Sequence, residues 1–220
     1  MLLRSVITEL CPELCCMLVP LSSVSVLIGM SSKKRTGRNC TFAPMRKLSH
    51  EELLAQRLTA AEVLSTVRHP VVGILEDIRS LYNVGSCFRT ADAMLLQRLI
   101  LTGYTPTPPR KEISKTALGA TETVPWEFVA NGAEAVAMLR LQGYRTYALE
   151  LTDSSLQLGA AQLPPGPIAF VAGNEITGVS AATLAACDGA IEIPMHGVKH
   201  SLNVAVAFGI AAWELVKKGG

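Results

Sequence analysis

An α/β fold, with a mainly parallel sheet and helices on both faces, is what this sequence predicts. From Val71 onward short apolar runs alternate with helical patterns, the rhythm of βαβ units. Apolar residues make up 49% of the chain and charged residues 17%, enough to bury a core and unlike a disordered, collagen-like or coiled-coil composition. A length of 220 residues suits one domain with a short appendage.

Taken in order, residues 1–44 differ in texture from the rest: an apolar stretch with serines, then a basic run. The nearest approach to a spanning helix, Leu14 to Met30, is interrupted by Pro20, Ser22, Ser23 and Ser25, so no membrane partner is expected. Glu9 and Glu13, with no A-x-A after them, argue against a secretory signal, and the same acids fit an organelle transit peptide badly. The segment is expected to be an extension, disordered or non-native, ahead of a working domain over 45–220. That domain opens with M-R-K-L-S-H-E-E-L-L, an amphipathic helical start within a short helical segment over 45–69, where Ser49 and Glu52 have capping-box spacing.

Strands are then expected over 71–75, 99–102, 146–149, 168–172 and 190–193. Helices are expected over 84–96, 133–141, 181–187 and 201–217. The last is long and alanine-rich, with Lys217 and Lys218 where cations complement the helix dipole. Between strand and helix, G-Y-T-P-T-P-P over 103–109 must be extended, because each proline pushes its predecessor out of the helical region.

A net charge of +2 hides an uneven distribution. Six cations and no acid stand between Ser31 and Lys47, whereas Leu48 to the end carries 13 basic and 16 acidic residues. Nucleic acid would therefore be bound through a local patch and not a global field. Arg110, Lys111 and Lys115 form one such cluster beside the proline loop. Of six cysteines only Cys87 and Cys187 lie in the body, and no C-x-x-C or zinc-finger spacing occurs. No structural metal is expected, and a reducing, cytoplasmic location is.

Three segments carry unusual residues at the ends of predicted strands, where open α/β sheets bind ligands. The first, N-V-G-S-C-F-R-T-A-D over 83–92, has Asn83 placed to cap a helix, Gly85 for a close backbone approach, and Arg89 two turns in. The second, F-V-A-G-N-E-I-T-G-V-S over 170–180, is a buried strand followed by a glycine-flanked acid. The third, I-P-M-H-G-V-K-H-S-L-N-V-A-V-A over 193–207, is a strand end, a loop and a helix opened by Ser201 with Asn203 in its first turn. Neither a phosphate loop nor G-x-G-x-x-G occurs, so ATP hydrolysis and ordinary dinucleotide-dependent oxidoreduction lose ground.

In order and spacing these segments, with I-S-K-T-A-L-G-A over 113–120, resemble the motifs of the SpoU/TrmH family of RNA ribose 2′-O-methyltransferases in the SPOUT superfamily. The resemblance covers about Met45 to Lys218. It implies a C-terminal trefoil knot, an exception to the rule that chains do not thread their own loops. It also implies S-adenosylmethionine as cofactor, held by Gly173, Ile193 and Leu202 with Met195 adjacent, and transfer to a ribose 2′-OH of tRNA or rRNA. Arg89 and Asn83 would serve the reacting hydroxyl, with Glu175, Ser201 and Asn203 orienting the ribose or Arg89. Proton removal is the task the family assigns to Arg89; because arginine stays protonated in proteins, a phosphate clamp and alkoxide stabiliser fits the position as well. Active sites built across a homodimer are implied too, with Arg110, Lys111, Lys115 and Lys199 as RNA backbone contacts. The runner-up reading is a knotted RNA-binding module without methyl transfer.

Two departures from the family pattern carry expectations. Relatives place glycine near position 95, where Leu95 cannot take a left-handed turn as cheaply, so the turn is expected to differ or strain. Relatives also often carry a separate RNA-binding domain ahead of the catalytic one, and 45–69 is too short for that. Substrate choice would then rest with the catalytic domain or a partner.

Overall fold

The computed structural model describes residues 45–219, so the expectation for 1–44 lies outside the described residues. Fifteen elements follow in chain order: α1 (His50–Ala55), α2 (Ala60–Ser65), β1 (His69–Glu76), α3 (Leu81–Ala93), β2 (Leu96–Thr102), α4 (Lys111–Ala117), α5 (Ala120–Thr123), β3 (Trp126–Val129), α6 (Gly132–Leu141), β4 (Arg145–Leu149), β5 (Leu156–Gln157), β6 (Ile168–Ala172), α7 (Ala181–Ala186), β7 (Gly189–Glu192) and α8 (Val204–Gly219). The seven strands form one sheet in the order β3-β2-β1-β6-β4-β7-β5. Every pairing is parallel.

Both sheet faces are buried, which is why the central strands read as unbroken apolar runs. Alternation along each strand divides them between two cores. Val71, Leu75, Leu99, Leu101, Ile168 and Phe170 point to one side, where Val84, Cys87, Phe88 and Ala91 of α3 and Phe208, Ala211, Ala212 and Leu215 of α8 cover them. Val72, Ile74, Ile100, Ala169 and Val171 point to the other, against Ala135, Val136 and Leu139 of α6. At the centre Phe170 and Phe208 lie with ring centroids 4.9 Å apart, each fully buried and contributing about 1.5–3 kcal/mol of transfer free energy.

Helix starts are shifted from those expected, for identifiable reasons. α3 begins at Leu81 because Ser80, not Asn83, is the N-cap: its hydroxyl accepts a bond from Asn83 N at 3.3 Å. Asn83 thus lies within the first turn, where its side chain bonds outside the helix and not to the helix's own N–H groups. α8 begins at Val204, not Ser201, because Asn203 does the capping: its Oδ1 accepts from Ala205 N at 2.9 Å and its carbonyl from Ala207 N at 2.9 Å. α2 carries a full capping box, Thr59 with Glu62, absent from the sequence reading. α1 starts one residue after Ser49.

At the end of α3, Leu95 adopts a left-handed conformation (φ 46°). Its N–H donates to Asp92 O and its carbonyl accepts from His69 N, both at 3.0 Å, so the turn keeps its form and carries the strain. Such a backbone costs a β-carbon-bearing residue about 1–2 kcal/mol. Leu95→Gly is therefore expected to stabilise the domain by about 0.5–1 kcal/mol, after the greater freedom of unfolded glycine is deducted. Urea unfolding of both proteins checks this; a destabilised glycine variant would show that packing of the half-buried Leu95 side chain outweighs the strain.

Among the described residues no helix is long and apolar enough to cross a membrane, and no three His, Cys, Asp or Glu side chains gather as a metal site. Cys87 and Cys187 are free thiols.

Candidate active site

Strand ends after β1, β6, β4 and β7 lie side by side at the C-terminal edge of the sheet, so the loops that leave them meet. The loop after β6 closes on itself through a bridge between Asn174 and Gly178, with N–H···O bonds of 3.1 and 3.0 Å in the two directions. Gly173 makes that closure possible: a β-carbon there would stand 2.3 Å from Gly178 C and 2.4 Å from Val179 N. Carboxylates anchor the far side of the loop. Glu150 accepts from Val179 N at 3.0 Å, and buried Glu76 accepts from Ser180 N and Oγ, both at 2.9 Å, and from Thr183 Oγ1.

Closure of this loop aims Glu175 at the start of α3. Its carboxylate accepts from Arg79 N at 3.0 Å, Ser80 N at 3.3 Å and Asn83 Nδ2 at 3.0 Å. Asn83 Oδ1 accepts in turn from Asn203 Nδ2 at 3.2 Å. One hydrogen-bonded chain, Asn203–Asn83–Glu175, thus joins all three sequence segments. An acid at a helix N-terminus also suits the helix dipole.

Burial pushes the Glu175 carboxyl up, but the donors on Arg79, Asn83 and Ser80, with its own backbone N–H, hold it below the usual carboxylate value of 4.5. A lowered native pKa means stability that is fully present above pH 4.5 and lost as pH falls through the native value. Glu175→Gln removes this contribution, so the variant is expected to lose less stability than the parent between pH 7 and about pH 3. Urea unfolding at the two pH values measures this, and equal losses would remove Glu175 from the acid response. Asp188 adds a pH dependence of the same sign: burial raises it, and bonds from Thr146 with the Arg140 and Arg145 cations bring it below its ordinary value.

Beside Glu175 lies a cavity of about 780 Å³, walled by the loops after β4, β6 and β7. Gly173, Ile193, Met195, Leu202, Ser201 and Lys199 all line it, with Leu149 and Ala172 adding apolar surface and Glu150, Thr152 and Glu192 polar surface. Over 193–202 no group makes a hydrogen bond to any described residue, leaving a run of backbone donors and acceptors beside the cavity.

Arg89 and the α4 cluster lie elsewhere. Arg89 is exposed on α3, does not line the cavity, and has no hydrogen bond or ion pair among the described residues. Arg110 immediately precedes α4, and Lys111 and Lys115 are exposed on it. α4 packs closely on α3 at Gly85, where a β-carbon would stand 2.3 Å from Ile113 O and 2.2 Å from Thr116 Oγ1. The close approach read from Gly85 is thus to a neighbouring helix.

Sequence reasoning missed Asn174, Glu76 and Glu150. Asn174 is 6% exposed, and its Oδ1 accepts from Ile176 N at 2.8 Å and Thr177 N at 3.0 Å, an Asx-type turn that shapes the loop carrying Glu175. An asparagine between glycine and the acid was the available signal. Glu76 and Glu150 could have been marked as acids ending apolar strands.

A parallel α/β sheet with this cavity and acid-capped helix defines the architectural class, and comparison with known proteins gives the family. The model of the SpoU rRNA Methylase family matches residues 70–213. The 23S rRNA (guanosine-2′-O-)-methyltransferase RlmB of Vibrio parahaemolyticus is 36% identical over 159 residues, 71% of this chain and 63% of its own length. That of Vibrio vulnificus is 32% identical over 211 residues, 91% and 83% of the two chains. Among solved structures, the A. aeolicus TrmH/SpoU tRNA modifying enzyme superposes with a TM-score of 0.64 at 26% identity, over 76% of this chain and 83% of its own. The AdoMet-bound rRNA methyltransferase from Sinorhizobium meliloti gives 0.63 at 26% identity, over 70% of this chain and 59% of its own. This chain belongs to the SpoU methylase family. It spans less than two thirds of the length of two of these four relatives.

Proposed function

We propose that this protein is an S-adenosylmethionine-dependent methyltransferase acting on a ribose 2′-OH of structured RNA. The observation that carries the reading is the hydrogen-bonded chain Asn203–Asn83–Glu175 at the rim of a cavity flanked by a loop of unpaired backbone groups. Among relatives, both rRNA and tRNA are represented as substrates.

The residues present fit the cofactor. Its adenine needs an apolar slot, supplied by Leu149, Ile193 and Leu202, and its polar edges need the free backbone groups of 193–202. When bound, S-adenosylmethionine supplies a methyl group already activated on a sulfonium. What remains for the chain is alignment of the 2′-oxygen and accommodation of the proton it sheds. Asn83 and Asn203 hold the ribose edge, Glu175 fixes Asn83, and Ser201 presents its hydroxyl at the cavity wall. The Arg89 guanidinium clamps the RNA phosphate and stabilises the forming alkoxide, and the proton shed by the 2′-OH passes to solvent water.

That Arg89 does not line its own chain's cavity supports a site completed across a homodimer, with Arg89 serving the partner's cofactor. A covering surface is available for such a partner. On α8 Val206, Ile210 and Trp213 are 52%, 40% and 57% exposed, one apolar stripe beside a further cavity of about 540 Å³. Arg110, Lys111, Lys115 and Lys199 then meet the RNA backbone. The sheet order, with β7 between β4 and β5, supports passage of 193–203 through a trefoil knot. The working domain occupies 45–220, and the location is cytoplasmic.

Calorimetry with S-adenosylmethionine, followed by tritiated methyl transfer to total rRNA and total tRNA, tests the reading. Binding with transfer to one RNA class is expected. Binding without transfer would favour a non-catalytic RNA-binding module, and no binding by the folded protein would end both the cofactor assignment and the enzyme reading.

A further inference from the structure

We infer that Tyr104 is a stacking platform for an unstacked nucleobase of the RNA substrate, an inference that rests on the RNA-directed reading above. Three of the described tyrosines show the contrast. Tyr144 and Tyr147 are only 8% and 6% exposed, whereas Tyr104 is 61% exposed and belongs to neither core.

Although exposed, Tyr104 is held at its hydroxyl and at its backbone. Its hydroxyl accepts from Asn174 Nδ2 at 2.6 Å, and its backbone N–H donates to Asp77 Oδ1 at 3.0 Å. The next residue, Thr105, is 3% exposed; its Oγ1 donates to Leu75 O and accepts from Ile78 N, both at 2.9 Å. By comparison Tyr82 is 49% exposed, yet its hydroxyl has no partner among the described residues. A ring fixed at both ends loses little conformational freedom when something lies against it, which makes an aromatic face an economical contact.

What would lie there follows from the surroundings. Asn174 Nδ2 also donates to Asp77 O at 2.7 Å, so one buried amide fixes both the ring and the loop that carries Glu175. Tyr104 therefore stands at the rim of the proposed site. Exposed cations stand on the adjoining segments: Arg79 follows Asp77 and Ile78, which bond to Tyr104 and Thr105, and Arg110 is at the end of the proline-rich loop. An exposed π-face with exposed cations on adjoining segments suits a single-stranded or flipped-out nucleotide, since every base can stack and base identity need not be read.

The test compares Tyr104→Phe with Tyr104→Leu. Affinity is read by fluorescence anisotropy with a labelled mixed-sequence single-stranded RNA of about a dozen nucleotides, and S-adenosylmethionine affinity by calorimetry on the same samples. Tyr104→Leu is expected to weaken RNA binding between about fivefold and a hundredfold, the loss of one base–aromatic stack, with cofactor affinity unchanged. Tyr104→Phe keeps the π-face and is expected to lose much less. Unchanged RNA affinity in Tyr104→Leu overturns the platform. Equal losses in both variants overturn it as well, by assigning the effect to the hydroxyl and its hold on Asn174. A parent protein that binds S-adenosylmethionine but neither this RNA nor total rRNA or total tRNA removes the RNA-directed reading itself, a distinct result.

Discussion

Arg89→Ala is expected to lower methyl transfer by roughly a hundredfold or more while leaving S-adenosylmethionine affinity within about twofold. The separation follows from position. Arg89 is exposed on α3 and does not line the cavity where the cofactor would sit, so its loss cannot open that pocket. Nor does it hold the fold, since it has no hydrogen bond or ion pair among the described residues. On the proposed reading its guanidinium would serve the reacting RNA, where a positive charge beside the developing alkoxide and its neighbouring phosphate would lower the barrier. Single-turnover transfer with saturating cofactor, beside calorimetric titration of the variant, gives both numbers. Weakened cofactor binding with normal turnover would reassign Arg89 to the pocket.

Gly173→Ala should do the converse and remove cofactor binding first. The added carbon would lie 2.3–2.4 Å from backbone atoms of Gly178 and Val179, which have no side-chain freedom with which to yield. Relief requires opening the Asn174–Gly178 bridge, and with it the loop that both walls the cavity and carries Glu175. Overpacking of this kind costs about 1–3 kcal/mol, so a fall in cofactor affinity between about fivefold and a hundredfold is expected. Wild-type affinity in Gly173→Ala would mean the loop tolerates opening. Mixing the two variants joins these expectations to the proposed dimer. A mixed pair has one site with both Arg89 and Gly173 intact, so random exchange should restore about a quarter of parental transfer.

Legibility of the fold followed burial. The expected strand over 168–172 matches β6 at both ends because each of its residues is buried, and nothing in it competes with an apolar-run reading. β3 escaped notice because W-E-F-V is an edge strand with no fully buried residue, and β5 is two residues long. Helix starts slipped by about one turn where two capping candidates stood close together. Ser80 and Asn83 are both good caps, and only the structure shows that the serine caps while the asparagine reaches Glu175. For the site, residue types and order were legible in the three segments. Their joining was not, since Asn83 and Asn203 lie 120 positions apart and meet only because β1, β6 and β7 end at the same sheet edge. Leu95 shows the limit of residue preference: the expected cost is present, but neighbouring hydrogen bonds hold the turn regardless.

The account stands most directly on where a transferred methyl group resides. A ribose 2′-O-methyl blocks alkaline cleavage of the following phosphodiester, because that cleavage needs the free hydroxyl. Incubating the protein with tritiated S-adenosylmethionine and total rRNA, then hydrolysing the RNA in alkali, should therefore place the label in alkali-resistant dinucleotides. Label confined to mononucleotides would put the methyl on a base and contradict the account.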